Sequence, residues 1–194
     1  DYTEFHSQLL ERWLLTDQVV DKYFRHYQTS EPMPKELIDK INKAATFNQG
    51  FQTVEFLGSA IMDMRYHTVD PANLDPRAFE KEELAKLGMP KEIPMRHRSP
   101  QFGHVFSSEG YAAGYYGYLW AEVLTADAAE AFVGAPGDFY DKELAQKMVA
   151  NLFTVRNAVD PGEAYRAFRG RDATPDALLR DRGFPVPTAP GGQQ

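Results

Sequence analysis

The chain has 194 residues and 43% hydrophobic residues, which suits one domain, or one large piece of a bigger one, with a real core. Its net charge of −7 argues against a general nucleic-acid surface. It contains no cysteine, so disulfides, thiol catalysis and cysteine-ligated zinc are excluded within it. No apolar run approaches the ~20 residues that a membrane-spanning helix needs. A cytoplasmic location is expected, and a periplasmic one stays open because any targeting segment would lie upstream of Asp1.

Hydrophobic periodicity predicts a mainly α fold without internal repeats. The first helix is expected to be long and amphipathic, with Phe5, Leu9, Trp13 and Val20 on its apolar face. Residues 89–100 contain three prolines and are expected to cross the molecule irregularly. In chain order the predicted helices cover residues 2–27, 35–47, 49–66, 77–87, 110–132, 138–152, 161–168 and 174–182, and residues 185–194 form a proline- and glycine-rich tail, surface-lying or disordered.

The stretch 102–120 combines one histidine, four tyrosines and four of the chain's 14 glycines. A helix is predicted to begin at Gly110, because a capping-type run precedes it and small and aromatic residues then repeat every three or four positions. Each glycine costs a helix about 1 kcal/mol relative to alanine. Three glycines in one helix therefore indicate that a second backbone or a ligand approaches it closely.

On such a helix Tyr111, Tyr115 and Tyr118 lie at i, i+4 and i+7, so their hydroxyls share one face. The preceding residues 103–109 are predicted to be a flexible loop that carries His104. One interpretation is a tightly packed core helix with tyrosines placed for bulk. Buried tyrosine hydroxyls need hydrogen-bond partners, and a mobile loop leading into them is typical of a substrate-gripping element.

The chain offers few other chemical groups. It has no HExxH, no histidine pair at i, i+4 and no GxSxG. Glu4 lies at a predicted helix start, where a negative charge is favourable for structural reasons alone. Arg96, His97 and Arg98 are either a solvated loop or a contact for an anionic substrate group. A histidine and tyrosines without a base suit stabilisation of negative charge on a carbonyl oxygen, but not bond breaking unaided.

Three segments resemble the thimet oligopeptidase family of zinc metallopeptidases, and within it the bacterial peptidyl-dipeptidase branch. The first is Asp1–Gln8 (DYTEFHSQ), where His6 stands at a position that the family usually gives to proline. The second is the run from His104 to Trp120, which retains GYAAGYYGYLW with a preceding loop one residue longer. The third is Phe168–Asp172 (FRGRD). The similarity extends across essentially the whole chain.

The resemblance implies that residues 1–184 are the C-terminal portion of a peptidase catalytic domain, mainly α and lining a deep substrate channel. Zinc would be held by two histidines of an HExxH helix upstream of this chain and by Glu4. The glutamate within HExxH would activate a zinc-bound water. By the same resemblance His104 would bind substrate, and Tyr111 and Tyr118 would hydrogen-bond the scissile carbonyl as it becomes an oxyanion.

The partners implied by the resemblance are a short peptide substrate and the missing N-terminal portion of the same enzyme. The chain alone would be incomplete and inactive, and release of dipeptides from the substrate C-terminus is the expected mode. Two other interpretations stay open at this point. One is a non-catalytic helical module that grips peptides through its tyrosines, and the other is a purely structural domain.

Overall fold

The computed structural model describes residues 2–187, and these residues form helices and connecting turns without a β-strand. The predicted mainly α class is confirmed. Asp1 and the part of the predicted tail from residue 188 onward lie outside the described residues. Among residues 2–187 no helix is both long and apolar enough to cross a bilayer. The α-helices are α1 (Phe5–Glu11), α2 (Asp17–Tyr23), α3 (Lys35–Ala44), α4 (Gln49–Tyr66), α5 (Pro76–Lys86), α6 (Gly103–Phe106), α7 (Gly117–Val133), α8 (Lys142–Met148), α9 (Pro161–Arg169) and α10 (Asp176–Asp181).

The chain divides into two compact units. The first unit comprises Asn48–Tyr118, and the second comprises Tyr2–Phe47 together with residues 119–187. The predicted helices 49–66, 77–87 and 161–168 are found within one residue of their expected bounds, and the helix predicted over 35–47 ends at Ala44. α5 begins at Pro76, one residue before the predicted start, because the Asp75 carboxylate accepts the backbone N–H groups of Arg77 (2.8 Å) and Ala78 (3.1 Å) and Pro76 follows the cap.

The single long helix predicted over residues 2–27 is wrong. The structure has α1 and α2 separated by a turn, with extended backbone at Thr16 (φ −69°, ψ 147°). The Thr16 hydroxyl donates to the Trp13 carbonyl (2.8 Å), and the Trp13 indole N–H donates to the carbonyl of Phe139 (2.8 Å). Tertiary bonding of the tryptophan therefore overrides the helical period, which continues through the break.

Two C-terminal helices are shorter than predicted. Residues 138–152 form a 3₁₀ turn (Asp138–Tyr140), then α8, whose Asp141 carboxylate caps the N–H of Leu144 (2.9 Å), and then a π-helical turn (Val149–Phe153). The helix predicted over 174–182 begins at Asp176, and the residue at its N-cap is Pro175 instead of Thr174. No side chain among residues 2–187 caps the N-terminus of α10.

The core of the second unit is built from aromatic and aliphatic side chains of α1, α7, α8 and α9. Phe5, Leu9 and Phe132 are fully buried in it. Trp13 packs edge-on against Phe132, with ring centroids 5.1 Å apart. Since each large side chain contributes roughly 1.5–3 kcal/mol on burial, this cluster fixes α1 against α7.

One carboxylate is buried beside this core. Asp127 of α7 is 1% exposed and accepts hydrogen bonds from the Tyr165 hydroxyl (2.8 Å), Arg169 Nε (3.0 Å) and Arg171 Nη2 (2.5 Å). Burial and the neighbouring carboxylate raise the pKa of Tyr165, so this phenol stays a donor. Gly170, with φ +83°, ends α9 and turns the chain so that Arg171 reaches Asp127.

We expect Asp127→Asn to lower the free energy of unfolding by about 3–5 kcal/mol, because it leaves two arginines without their buried counter-charge. Asp172→Asn is the matched control, since Asp172 pairs with Arg166 at 2.8 Å on the surface and exposed pairs contribute little. Urea unfolding followed by circular dichroism measures both variants. Equal effects of the two substitutions would contradict the role given to Asp127.

Candidate functional site

The tyrosine stretch does not form the helix predicted from Gly110. Residues Glu109–Tyr111 form a 3₁₀ turn, and α7 begins only at Gly117. Between them the backbone is extended at Ala112 (φ −60°, ψ 132°) and left-handed at Ala113 (φ +55°). The predicted i, i+4, i+7 face of three tyrosines on one helix is therefore wrong.

A buried carboxylate of α4 accounts for this departure from helix. Asp63 is 1% exposed, and its two oxygens accept the backbone N–H groups of Ala113 (3.0 Å) and Tyr115 (2.9 Å). The Gly114 N–H donates to the carbonyl of Tyr111 (3.2 Å), which closes a tight turn. These hydrogen bonds take the place of the i→i−4 bonds of a helix. Because two of them are made to Asp63, we call residues 111–115 the Asp63 turn.

The loop predicted over 103–109 is also more regular than expected. Gly103–Phe106 forms the one-turn helix α6, and Val105 is fully buried in the first unit. The Ser107 hydroxyl donates back to the Gly103 carbonyl. His104 is exposed on this short helix. The histidine is therefore presented by a packed element, and the prediction of a flexible loop is wrong for residues 103–106.

His104, Tyr111 and Tyr118 come together in the first unit despite the failed helix prediction. His104 Nε2 lies 3.2 Å from the Tyr118 hydroxyl, within hydrogen-bonding distance. The ring centroids of His104 and Tyr111 are 5.0 Å apart, and those of His104 and Tyr118 are 5.8 Å apart. Tyr111 is 59% exposed. The rings of both phenols thus lie next to one imidazole, which is exposed.

The third tyrosine of the predicted face has a packing role. Tyr115 stacks on Phe56 with ring centroids 4.9 Å apart and an interplanar angle of 20°, and its edge meets Phe102 at 4.9 Å. Its ring centroid also lies 5.6 Å from those of His104 and Tyr118, so Tyr115 packs against the candidate site as well. Burial raises the pKa of Tyr115, a nearby Arg96 lowers it and Glu55 raises it further, with a net increase. Tyr115 therefore joins the Asp63 turn to α4.

This cluster of three side chains can donate hydrogen bonds but contains no nucleophile and no carboxylate base. Phenol O–H and imidazole N–H groups suit a carbonyl oxygen on which negative charge develops. A polarised carbonyl still requires an attacking group. These three side chains thus offer hydrogen-bond donors and no attacking group.

Glu4 lies in the second unit, at the N-cap position of α1. Its side chain is partly buried, and the Ser7 hydroxyl donates to its carboxylate (3.2 Å) and to its carbonyl (2.9 Å). A hydroxyl donor on a carboxylate fixes the orientation of the remaining lone pairs, as in metal sites whose ligands are held by neighbouring groups. The chemistry of Glu4 thus fits one ligand of a hard or borderline cation.

Glu4 cannot hold such a cation by itself. Among residues 2–187 no group of three or more histidine, aspartate or glutamate side chains is arranged to bind a metal ion, whereas a catalytic zinc takes three protein ligands. His6 does not add a second ligand, because its Nε2 lies 3.0 Å from the Leu152 carbonyl and its ring packs against Phe153. The histidine at the position usually given to proline therefore has a structural role.

The basic run 96–98 is largely engaged within the first unit. Arg98 Nε binds the carboxylate of Glu80 at 2.6 Å, and Glu80 also accepts the N–H of Ser99 (2.9 Å). The His97 ring stacks on Phe102 at 5.0 Å. Contacts within the first unit therefore account for Arg98 and His97 without an anionic substrate group.

Asp63 is the residue that sequence reasoning missed. The sequence does contain a feature that could have revealed it, because Asp63 is a single carboxylate among the apolar residues of AIMDM (60–64). Ala60 and Met62 of this segment are buried in the structure. A charged side chain within a buried helical segment is uncommon unless it is paired. The pattern around position 63 therefore indicates a hydrogen-bonding role for its carboxylate.

Comparison with known proteins gives a consistent set of similarities. The sequence profile of "Peptidase family M3" matches residues 1–184. The chain is 37% identical over 188 residues to a dipeptidyl carboxypeptidase of Salmonella typhimurium, covering 95% of this chain and 27% of that protein. It is 33% identical over 186 residues to oligopeptidase A of Escherichia coli and 29% identical over 192 residues to saccharolysin of Saccharomyces cerevisiae, in each case over 95% of this chain. The chain spans about a quarter of the length of these relatives.

The left-handed backbone at Ala113 gives a test of the site geometry. We expect Ala113→Val to destabilise the first unit by about 1–2 kcal/mol, because a β-branched side chain is strained at positive φ. Ala113→Gly should be tolerated. Ala112→Val is the matched control, since extended backbone accepts valine without strain. Denaturant unfolding separates these outcomes, and equal effects at positions 112 and 113 would contradict the turn.

Proposed function

The chain belongs to peptidase family M3, and from this membership we propose that it is the part of a zinc-dependent oligopeptidase that polarises the scissile peptide carbonyl. The resemblance seen in the sequence is confirmed. The observation that carries the proposal is the pairing of His104 with Tyr118 at 3.2 Å, with the Tyr111 ring centroid 5.0 Å from that of the imidazole. We also propose the activity of the whole protein, which is peptide hydrolysis, its substrate, which is a short peptide, and its partner, which is the N-terminal portion of the same enzyme.

Tyr118 and Tyr111 donate hydrogen bonds to the carbonyl oxygen of the scissile bond as it becomes an oxyanion. A preorganised donor of this kind is worth about 10²–10³-fold in kcat. His104 binds the substrate backbone beside them. Since His104 Nε2 already lies within hydrogen-bonding distance of the Tyr118 hydroxyl, the imidazole also orients that phenol before substrate arrives.

Glu4 supplies one ligand of the zinc, held in place by Ser7. The two further protein ligands and the base come from an HExxH helix in the missing N-terminal portion of the same enzyme. Bound zinc supplies Lewis-acid activation of the attacking water at near-neutral pH. The chain's own residues orient the carbonyl and stabilise its negative charge, so the chain alone is inactive.

The proposed substrate is a short peptide bound in the deep channel expected for the family, and the proposed mode is release of dipeptides from its C-terminus. Support for this mode is the 37% identity to a protein named dipeptidyl carboxypeptidase. Identity to oligopeptidase A is also substantial, at 33%. The alternative mode is cleavage at an internal bond. The two modes are distinguished by mass spectrometry of the products from two versions of one peptide, one with a free C-terminal carboxylate and one with a C-terminal amide.

In the full-length enzyme we expect Tyr118→Phe to lower kcat by about 10²-fold or more with a much smaller change in KM, because the lost hydroxyl acts in the transition state. Tyr115→Phe is the matched control, since it also removes one phenol hydroxyl but retains the ring that packs on Phe56, His104 and Tyr118, and it should leave kcat within about 3-fold. Steady-state kinetics on a short fluorogenic peptide measures both. An unchanged kcat in Tyr118→Phe would remove Tyr118 from the mechanism.

In the same enzyme we expect Glu4→Gln to reduce zinc retention by about 10-fold or more, because an amide oxygen is a weaker ligand than a carboxylate. Asp17→Asn is the control, because Asp17 is an exposed acidic residue in the first turn of α2. Metal content after dialysis, measured by mass spectrometry, gives the result. Normal zinc content in Glu4→Gln would refute the ligand role.

A further inference from the structure

Asp63 binds the turn between the two proposed oxyanion donors. Its carboxylate oxygens accept the N–H groups of Ala113 (3.0 Å) and Tyr115 (2.9 Å), which lie after Tyr111 and before Tyr118 in the chain. The Ala113 and Tyr115 N–H groups point to one side chain, which itself belongs to the long helix α4. Asp63 thus attaches the turn to α4.

The same carboxylate is linked to the element that carries His104. His67 Nδ1 lies 2.9 Å from Asp63 Oδ1 and 2.8 Å from the Asp63 carbonyl. The His67 ring stacks on Phe106 of α6, with centroids 5.5 Å apart and an interplanar angle of 19°. Asp63 therefore binds the Asp63 turn directly. It is connected to α6, which carries His104, through His67 and Phe106.

Packing alone does not explain a carboxylate at this place. Burying an ionised side chain costs several kcal/mol unless its hydrogen bonds are satisfied. Asp63 is 1% exposed, and an apolar side chain would fill the same space without that cost. A carboxylate has one property that an apolar residue lacks here, because each of its two oxygens accepts a different backbone N–H.

We propose that Asp63 is a positioning residue that sets the places of Tyr111 and Tyr118 around His104. The inference rests on the proposed function, because these three side chains matter for catalysis only if they contact the substrate carbonyl. Asp63 itself does not touch the substrate. Its action is to hold the Asp63 turn out of the helical conformation that the sequence pattern favours, so that the rings of both phenols lie next to one imidazole.

Asparagine is the informative substitution at this position. Its side chain has almost the shape of aspartate, but it has one acceptor oxygen and one NH₂ donor. It can accept the N–H of Ala113 or that of Tyr115, and its NH₂ group then faces the other N–H. Asp63→Glu retains both acceptor oxygens on a longer stem and serves as the conservative variant.

Glu80→Gln provides a matched control within the same unit. Glu80 is also buried (4% exposed) and accepts the N–H and hydroxyl of Ser99 at 2.9 and 2.6 Å. It has no bond to the Asp63 turn. A general loss of stability after removing a buried carboxylate would therefore appear in both variants, whereas loosening of residues 111–115 is expected only in Asp63→Asn.

The experiment measures hydrogen exchange by mass spectrometry on the full-length enzyme, together with kcat, KM and zinc content. In Asp63→Asn we expect peptides that span residues 109–118 to exchange about 10-fold faster or more, since a hydrogen bond to a charged group is lost. We expect kcat to fall by about 10-fold to 100-fold, with KM changed by less than about 3-fold and zinc content unchanged. Asp63→Glu should recover part of both losses.

Unchanged exchange over residues 109–118 in Asp63→Asn would overturn the inference, and so would an equal increase in Glu80→Gln. Faster exchange with unchanged kcat would overturn it as well, because the turn would then be irrelevant to the reaction. Failure of the proposed function has a different signature, namely an unchanged kcat in Tyr118→Phe. If Asp63→Asn does not fold, Asp63→Glu decides the question, because its longer stem shifts the turn while both acceptor oxygens remain. Faster exchange over residues 109–118 together with a lower kcat then supports the inference, and a lower kcat without faster exchange there overturns it.

Discussion

The site of the first unit depends on one buried carboxylate that must satisfy backbone N–H groups. Residues 111–115 leave the helical conformation, and their N–H groups then need an acceptor away from water. Asp63 provides it with bonds of 3.0 and 2.9 Å. The cost of burying the charge is offset only while both bonds are made. This mutual dependence makes the turn a defined structure instead of a variable loop.

The fold and the site were predictable to different extents. α4 was found with its predicted bounds because its apolar residues recur over many turns, so the signal accumulates. The long first helix failed because the indole N–H of Trp13 bonds to Phe139, a residue 126 positions away. The helix expected from Gly110 failed because Asp63 bonds to residues 50 and 52 positions along the chain. Local periodicity carries no information about partners at such separations.

The candidate residues themselves were placed better than their backbone. His104, Tyr111 and Tyr118 do meet, although the reason given for two of them, a shared helical face, was wrong. The resemblance in the motif therefore predicted which side chains lie close together, but not the backbone conformation that brings them there. Glu4 was expected from the resemblance alone, and its role as a ligand stays a prediction, as do the domain limits 1–184 and 185–194.

The bond between His6 and the Leu152 carbonyl joins positions that are 146 residues apart. Leu152 lies in the π-helical turn Val149–Phe153, where the usual spacing of helical donors is broken. The imidazole of His6 therefore supplies a partner to a carbonyl in this irregular turn, and it ties the first helix of the chain to the end of α8.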